Sequence, residues 1–111
     1  MNNVMLVGRL VNEPTISINE NGKTYSEIIV AVNRSFKNNE GLYETDFIPC
    51  IIYNEMANTT KEYCRKGDLL GIKGRLDSLW QNNRIVVVAD KVTFLATKKT
   101  EEENELGKGE V

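Results

Sequence analysis

Apolar residues crowd into five stretches of the chain, and the breaks between them are rich in Gly, Pro and Asn. Val4 to Val11 reads as the first strand, with Gly8 inside it at a bend or bulge position. Asn12-Glu13-Pro14 ends it. Thr15 to Ile18 is a short alternating piece before Asn21-Gly22, a strong hairpin signal. Lys23 to Phe36 reads as a long strand centred on Ile28, Ile29, Val30 and Val32. The polar run Lys37-Asn38-Asn39-Glu40-Gly41 links it to a strand over Leu42 to Tyr53. Pro49 within that strand cannot donate to a ladder, so it requires an edge position or a bulge. Asn54 is placed to cap a helix. Met56, Ala57, Thr60, Tyr63 and Cys64 follow on one helical stripe. Gly67 is available as a left-handed terminator. Leu69 to Trp80 and Arg84 to Leu95 read as the last two strands, joined by the tight polar turn Gln81-Asn82-Asn83.

The order is therefore three strands, one short helix and two strands. It matches an all-β, five-stranded Greek-key barrel, the OB-fold, with its helix between the third and fourth strands. Glycines inside strands (Gly8, Gly71, Gly74) suit the sharp coiling such a barrel needs. A flat α+β sandwich is the alternative compatible with the same order. From Thr97 onward the chain is polar, charged and free of aromatics. Residues 1–97 are thus expected to form the domain, and 98–111 a short acidic tail without enough apolar surface to order itself.

The 111 residues fit one domain. No apolar run approaches the roughly 18 residues of a membrane span, and Met1-Asn2-Asn3-Val4 lacks the basic start of a signal peptide. A cytoplasmic protein without membrane contact is expected. Histidine is absent, which removes the commonest general base and metal ligand. Cys50 and Cys64 are not a CxxC pair and read as reduced, mostly buried thiols. Scattered acids such as Asp46, Asp68, Asp77 and Asp90 form no catalytic cluster, and no nucleotide or hydrolase motif is present. No enzyme, cofactor or metal is therefore expected. The net charge of −2 conceals an asymmetry. Residues 1–99 carry 13 Lys/Arg against 11 Asp/Glu, whereas 100–111 carry one Lys and five Glu. The body is weakly basic, and a local basic groove is still possible.

Aromatic and cationic residues interleave in a way that suits single-stranded nucleic acid. Flat rings stack on unpaired bases without reading sequence, and cations follow the phosphates. Arg34-Ser35-Phe36-Lys37 ends the second long strand. Phe47 and Tyr53, six apart, face one side of a regular strand. Lys73 and Arg75 alternate on the fourth, and Trp80 sits near Arg84 at the last hairpin. Core positions are the alternative for Phe47 and Tyr53, whereas Phe36 and Trp80, among polar neighbours, are harder to bury. Phe94 and Tyr63 read as core, and Tyr25 and Tyr43 are undecided.

Over about residues 1–97 the sequence closely resembles the bacterial single-stranded DNA-binding proteins (SSB). The resemblance is carried by Asn2-Asn3-Val4-Met5-Leu6-Val7-Gly8-Arg9-Leu10, Asn12-Glu13-Pro14 and Ala31-Val32-Asn33-Arg34-Ser35-Phe36. Thr45-Asp46-Phe47-Ile48-Pro49-Cys50, Tyr63-Cys64-Arg65-Lys66-Gly67-Asp68 and Lys73-Gly74-Arg75-Leu76 complete it. The resemblance implies an OB-fold that coats and protects single-stranded DNA in replication, recombination or repair, usually as a homotetramer. It implies base stacking on Phe36, Phe47, Tyr53 and Trp80. Phosphate contacts are implied at Arg34, Lys66 and Lys73; Lys37, Arg75 and Arg84 join the candidate set from their sequence neighbourhood.

Three departures stand out. Asp77-Ser78-Leu79 replaces the usual basic residues before Trp80, the following hairpin is short, and the acidic end lacks a Pro-Phe tip. Weaker or shorter-site binding is expected, and recruitment of replication and repair proteins is not implied. An OB-fold adaptor between proteins and a structured-RNA binder are the other functional readings.

Overall fold

The strands expected from the alternation are present, their ends shifted by about one residue. The computed structural model describes residues 1–79 and 82–97. The tail over 98–111 and the pair Trp80 and Gln81 lie outside the described residues. The elements are β1 (Val4–Leu10), β2 (Ser17–Ile18), β3 (Thr24–Lys37), β4 (Tyr43–Tyr53), α1 (Asn54–Tyr63), β5 (Leu69–Leu79) and β6 (Arg84–Ala96). The long strands neighbour one another in the order β1-β5-β6-β4-β3, and β1 also pairs with β3. That last pairing, Arg9 with Ala31 and Leu10 with Val30, closes the sheet on itself. The result is a closed five-stranded barrel of the OB type, with β2 added along β3 and α1 between the third and fourth barrel strands.

Alternation decides which side of each strand is dry. The even-numbered Leu10, Ile28, Val30, Ile52 and Leu70 point inward and are fully buried, joined by Val87 from β6. Each such side chain contributes about 1.5–3 kcal/mol relative to exposure. Ala57 and Cys64 bring α1 and its exit onto the same cluster. In β6 the parity reverses across the register shift between Lys73 and Gly74 of the paired β5. Beyond it, Lys91 stands opposite Lys73 and Thr93 opposite Gly71.

Two glycines let backbones touch where the barrel coils. A Cβ on Gly8 would collide with the Ala31 carbonyl and a Val30 methyl, and one on Gly74 with the Val88 carbonyl. Pro49 sits opposite Ile29 in regular pairing, with no bulge. The parallel β4–β6 pairing begins only at Cys50, so position 49 keeps the open edge that proline needs.

Four expectations need correcting. Asn54 does not cap α1; Tyr53 holds the cap position, without a side-chain cap bond, and Asn54 adopts φ +60°. Strand β4 runs directly into the helix, so one left-handed residue makes the whole turn, a conformation Asn tolerates. Gly67 is left-handed at φ +94°, but beyond the helix, which already ends at the extended Cys64. Its N–H donates to the Leu10 carbonyl at 2.7 Å, which ties the α1–β5 turn to β1. Tyr63 is 64% exposed rather than core, because Cys64 takes the buried place where the chain leaves the helix. Phe94 faces an apolar hollow of about 380 Å³ between α1 and β6 that leaves it half-open.

Gly8→Ala is expected to destabilise the fold by about 3 kcal/mol through overpacking at the β1–β3 closure. Urea unfolding would register this as a lower midpoint with an unchanged slope.

Candidate nucleic-acid interface

The odd-numbered residues of β3 and β4 face away from the core. Tyr25 lies opposite Tyr53, Glu27 opposite Ile51, and Ala31 opposite Phe47. Pairing is regular from Tyr25–Tyr53 to Asn33–Thr45, so Phe47 and Tyr53 share a side, about 20 Å apart at strand rise. The register slips only between Asn33 and Lys37, the segment that carries Phe36. Phe36 and Phe47 are 66% and 64% exposed.

Tyr53 differs from these two rings. It is half-buried against a second apolar cluster of Ile51, Val86 and Val88, with Tyr25 and Leu79 alongside. The Tyr25 and Tyr53 rings are tilted at 52° with centroids 6.4 Å apart. Lys23 Nζ lies 4.9 Å from the Tyr53 centroid, a cation–π distance. One face of Tyr53 is therefore already occupied. Tyr25 and Lys23 are the neighbours that the sequence left unassigned. Their signal was parity, since Tyr25 sits on the outward side of β3.

Tyr25, Ile51, Tyr53 and Leu79 line an open groove of about 700 Å³. Its floor is Tyr25, Ile51 and Tyr53. Asn19 and Asn21 of the β2–β3 turn form one wall, and Leu79 and Arg84 of the β5–β6 arm the other. Asn19 Oδ1 accepts from the N–H groups of Asn21 and Lys23 at 3.0 and 2.9 Å, which holds that turn in shape. A second hollow of about 390 Å³ is lined by Arg34, Phe36, Lys37 and Glu44.

The cations are arranged less freely than the rings. Arg34 donates from Nε and Nη2 to Asp46 at 3.1 and 2.9 Å, and from Nη1 to Glu44 at 2.6 Å. The Arg34 hydrogen bond holds the Asp46 carboxyl below its usual range, and the two carboxylates raise the Arg34 guanidinium further. The Asp46 charge is therefore lost at a lower pH than that of a carboxylate without such a partner. Arg84 pairs with Glu27 at 3.2 Å and Arg75 with Asp90 at 3.5 Å. Lys37 Nζ lies 5.7 Å from the Tyr43 ring centroid.

Residues 1–97 match the family model of the Single-strand binding protein family. The chain belongs to the single-strand binding protein family. It is 38% identical over 107 residues to Single-stranded DNA-binding protein B of Bacillus subtilis, covering 90% of this chain and 95% of that protein. Against the single-stranded DNA-binding protein of Oceanobacillus iheyensis it is 39% identical over 105 residues, covering 88% and 65%. Against that of Enterococcus faecalis it is 36% identical over 116 residues, covering 98% and 62%. The chain thus spans nearly the whole of the first relative and under two thirds of the other two.

For this member of the single-strand binding protein family, the barrel brings together only part of the expected site. Arg34, Phe36 and Lys37 share one hollow, and Tyr53 and Arg84 share the groove. Arg75 lies opposite Val88, which pairs with Ile51 of the groove floor, so it continues the same side of the sheet. Lys73 stands opposite Met5 and Lys91, towards the β1 edge. Lys66 is placed elsewhere, in the α1–β5 turn, where its N–H donates to Glu13 at 3.1 Å. Trp80 lies outside the described residues. Among the described residues, no group of three His, Cys, Asp or Glu could hold a metal ion, and no helix is long and apolar enough to cross a membrane.

Burial pushes the Cys50 thiol up to about 11, and burial also raises Cys64, with Asp68 adding to the effect. Both thiols therefore stay protonated at neutral pH and weakly nucleophilic. A thiol-reactive chromophore at pH 7.5 is expected to report almost no fast reaction in the native protein and two thiols after denaturation.

Proposed function

We propose that this protein binds and protects single-stranded DNA without sequence readout, as a non-enzymatic coat during replication, recombination or repair. The carrying observation is that two large rings, Phe36 and Phe47, are left mostly in water, with Phe36 sharing a hollow with Arg34 and Lys37. Rings left open in this way suit stacking on unpaired bases, every one of which has a π-face. Bases stack on Phe36 and Phe47, with Tyr53 and Trp80 extending the track. Lys37, Lys73, Arg34, Arg75 and Arg84 meet phosphates along it, and Lys66 serves at most a peripheral strand. The barrel over residues 1–97 is the binding domain, and 98–111 is an acidic tail. The likeness to relatives named as single-stranded DNA-binding proteins supports this reading, and the protein acts in the cytoplasm with DNA and its own copies as partners.

A homo-oligomer, in the family's usual tetrameric form, is part of the same proposal. From Val4 to Gly8, β1 pairs with β5 on one side and has no partner strand on the other among the described residues. Met5 and Val7 on that edge are 80% and 57% exposed. An unpaired apolar edge of this kind invites a second strand.

Adding oligo-dT is expected to quench the emission of Trp80, the single tryptophan, with affinity falling as salt rises. Phe36→Ala and Phe47→Ala should each weaken binding by about 1–3 kcal/mol. No quenching and no mobility shift at low salt would remove the proposal. For assembly, a Met5→Lys, Val7→Lys double variant is expected to sediment as a smaller species than the parent.

A further inference from the structure

The binding side of the barrel carries its own acids against its arginines. Arg34 is gripped by two carboxylates at once, Asp46 through a two-point fork and Glu44 through the remaining nitrogen. Arg84, at the wall of the groove, is held by Glu27, which lines the same groove. A guanidinium fork donates to carboxylate or phosphate oxygens in the same geometry. The two are alternative partners for one cation. All these side chains are solvent-exposed, between 40% and 47%. Pairs so exposed stabilise a fold little and exchange readily. They therefore add little to holding the barrel together, but each occupies guanidinium nitrogens that a phosphate on the same arginine would need.

We propose that Glu44, Asp46 and Glu27 are internal competitors for phosphate, which occupy Arg34 and Arg84 in the free protein and lower its affinity for single strands. The inference rests on the single-stranded DNA reading above and deepens it. A strand entering the Phe36 hollow must either displace the carboxylates from Arg34 or lie beside them as a like charge. Either route weakens binding. Arg34 and Arg84 consequently release fewer counterions than free cations would, and the salt dependence is shallower than the number of arginines suggests.

The test compares oligo-dT titrations of the full chain with those of Glu44→Gln/Asp46→Asn and, separately, Glu27→Gln. The first variant is expected to bind about five- to tenfold more tightly at 50 mM salt. Its log–log salt slope should steepen by about 0.7, the value for one further phosphate neutralised on a single strand. Adding Arg34→Gln to it should abolish the gain. Glu27→Gln should show a smaller gain of the same sign. Affinities equal to or weaker than the parent, in variants with unchanged thermal midpoints, would overturn the proposal. A collapse of the thermal midpoint in Glu44→Gln/Asp46→Asn would instead assign that pair to holding the β3–β4 arm, and Glu27→Gln alone would then decide the matter at Arg84. Failure of the parent chain to bind oligo-dT would sink the functional reading itself, whereas parental binding with no gain in either variant would sink only this inference.

Discussion

The near-contact of the β1 and β3 backbones at Gly8 and Ala31 governs the rest of the molecule. Only two residue pairs join these strands, yet they turn a curled sheet into a closed barrel. Closure gives every strand an inside and an outside. The inside takes the aliphatic residues, and the odd-numbered outside of β3 and β4 is left for other uses. A side chain at position 8 would open the seam, and the separation of the two sides would be lost with it.

That separation explains how one strand serves two purposes. In β4, Cys50 and Ile52 build the core while Phe47, Ile51 and Tyr53 build the binding side. In β6, Val87 points inward, and Val86 and Val88 support the groove floor from the other side. The apolar run Ile85 to Val88 is therefore not a single core stripe. It feeds two clusters, and the outer one makes a firm bed for Tyr25 and Tyr53. The rings differ in consequence. Phe36 and Phe47 stand free, whereas Tyr53 is braced from below and covered on one face by Lys23.

Most of the fold was legible because strand alternation, turn residues and internal glycines agree with one another. Asn21-Gly22 makes its turn, with Gly22 at φ +78°, and the strand parity of Phe47 and Tyr53 holds across Pro49. The misreadings occur where tertiary geometry overrules local signals. Asn54 resembles a cap but serves as a hinge between strand and helix. Tyr63 continues the helical stripe on paper, yet as the last helical residue it stays exposed while Cys64, just beyond the helix, fills the core. At the candidate site the aromatics could be read from neighbours in the chain, since Phe36 lies among polar residues. Pairing of cations could not. Arg34 and Asp46 are 12 residues apart, Arg84 and Glu27 farther still, and only the cross-strand register brings each pair together.

The same register has a bearing on how the chain reaches its final form. Asn2 exchanges two hydrogen bonds with the Leu76 backbone, 74 residues away, and Val4 lies opposite Gly74. Strand β1 is made before every other strand of the barrel and must wait for β5 before it finds its neighbour. Local hairpins such as β3–β4 form early, but completion depends on bringing distant ends together, a topology associated with slow folding. During translation the sticky segment around Met5 and Val7 stays without its β5 mate, and a newly made chain is most vulnerable to clumping in that interval.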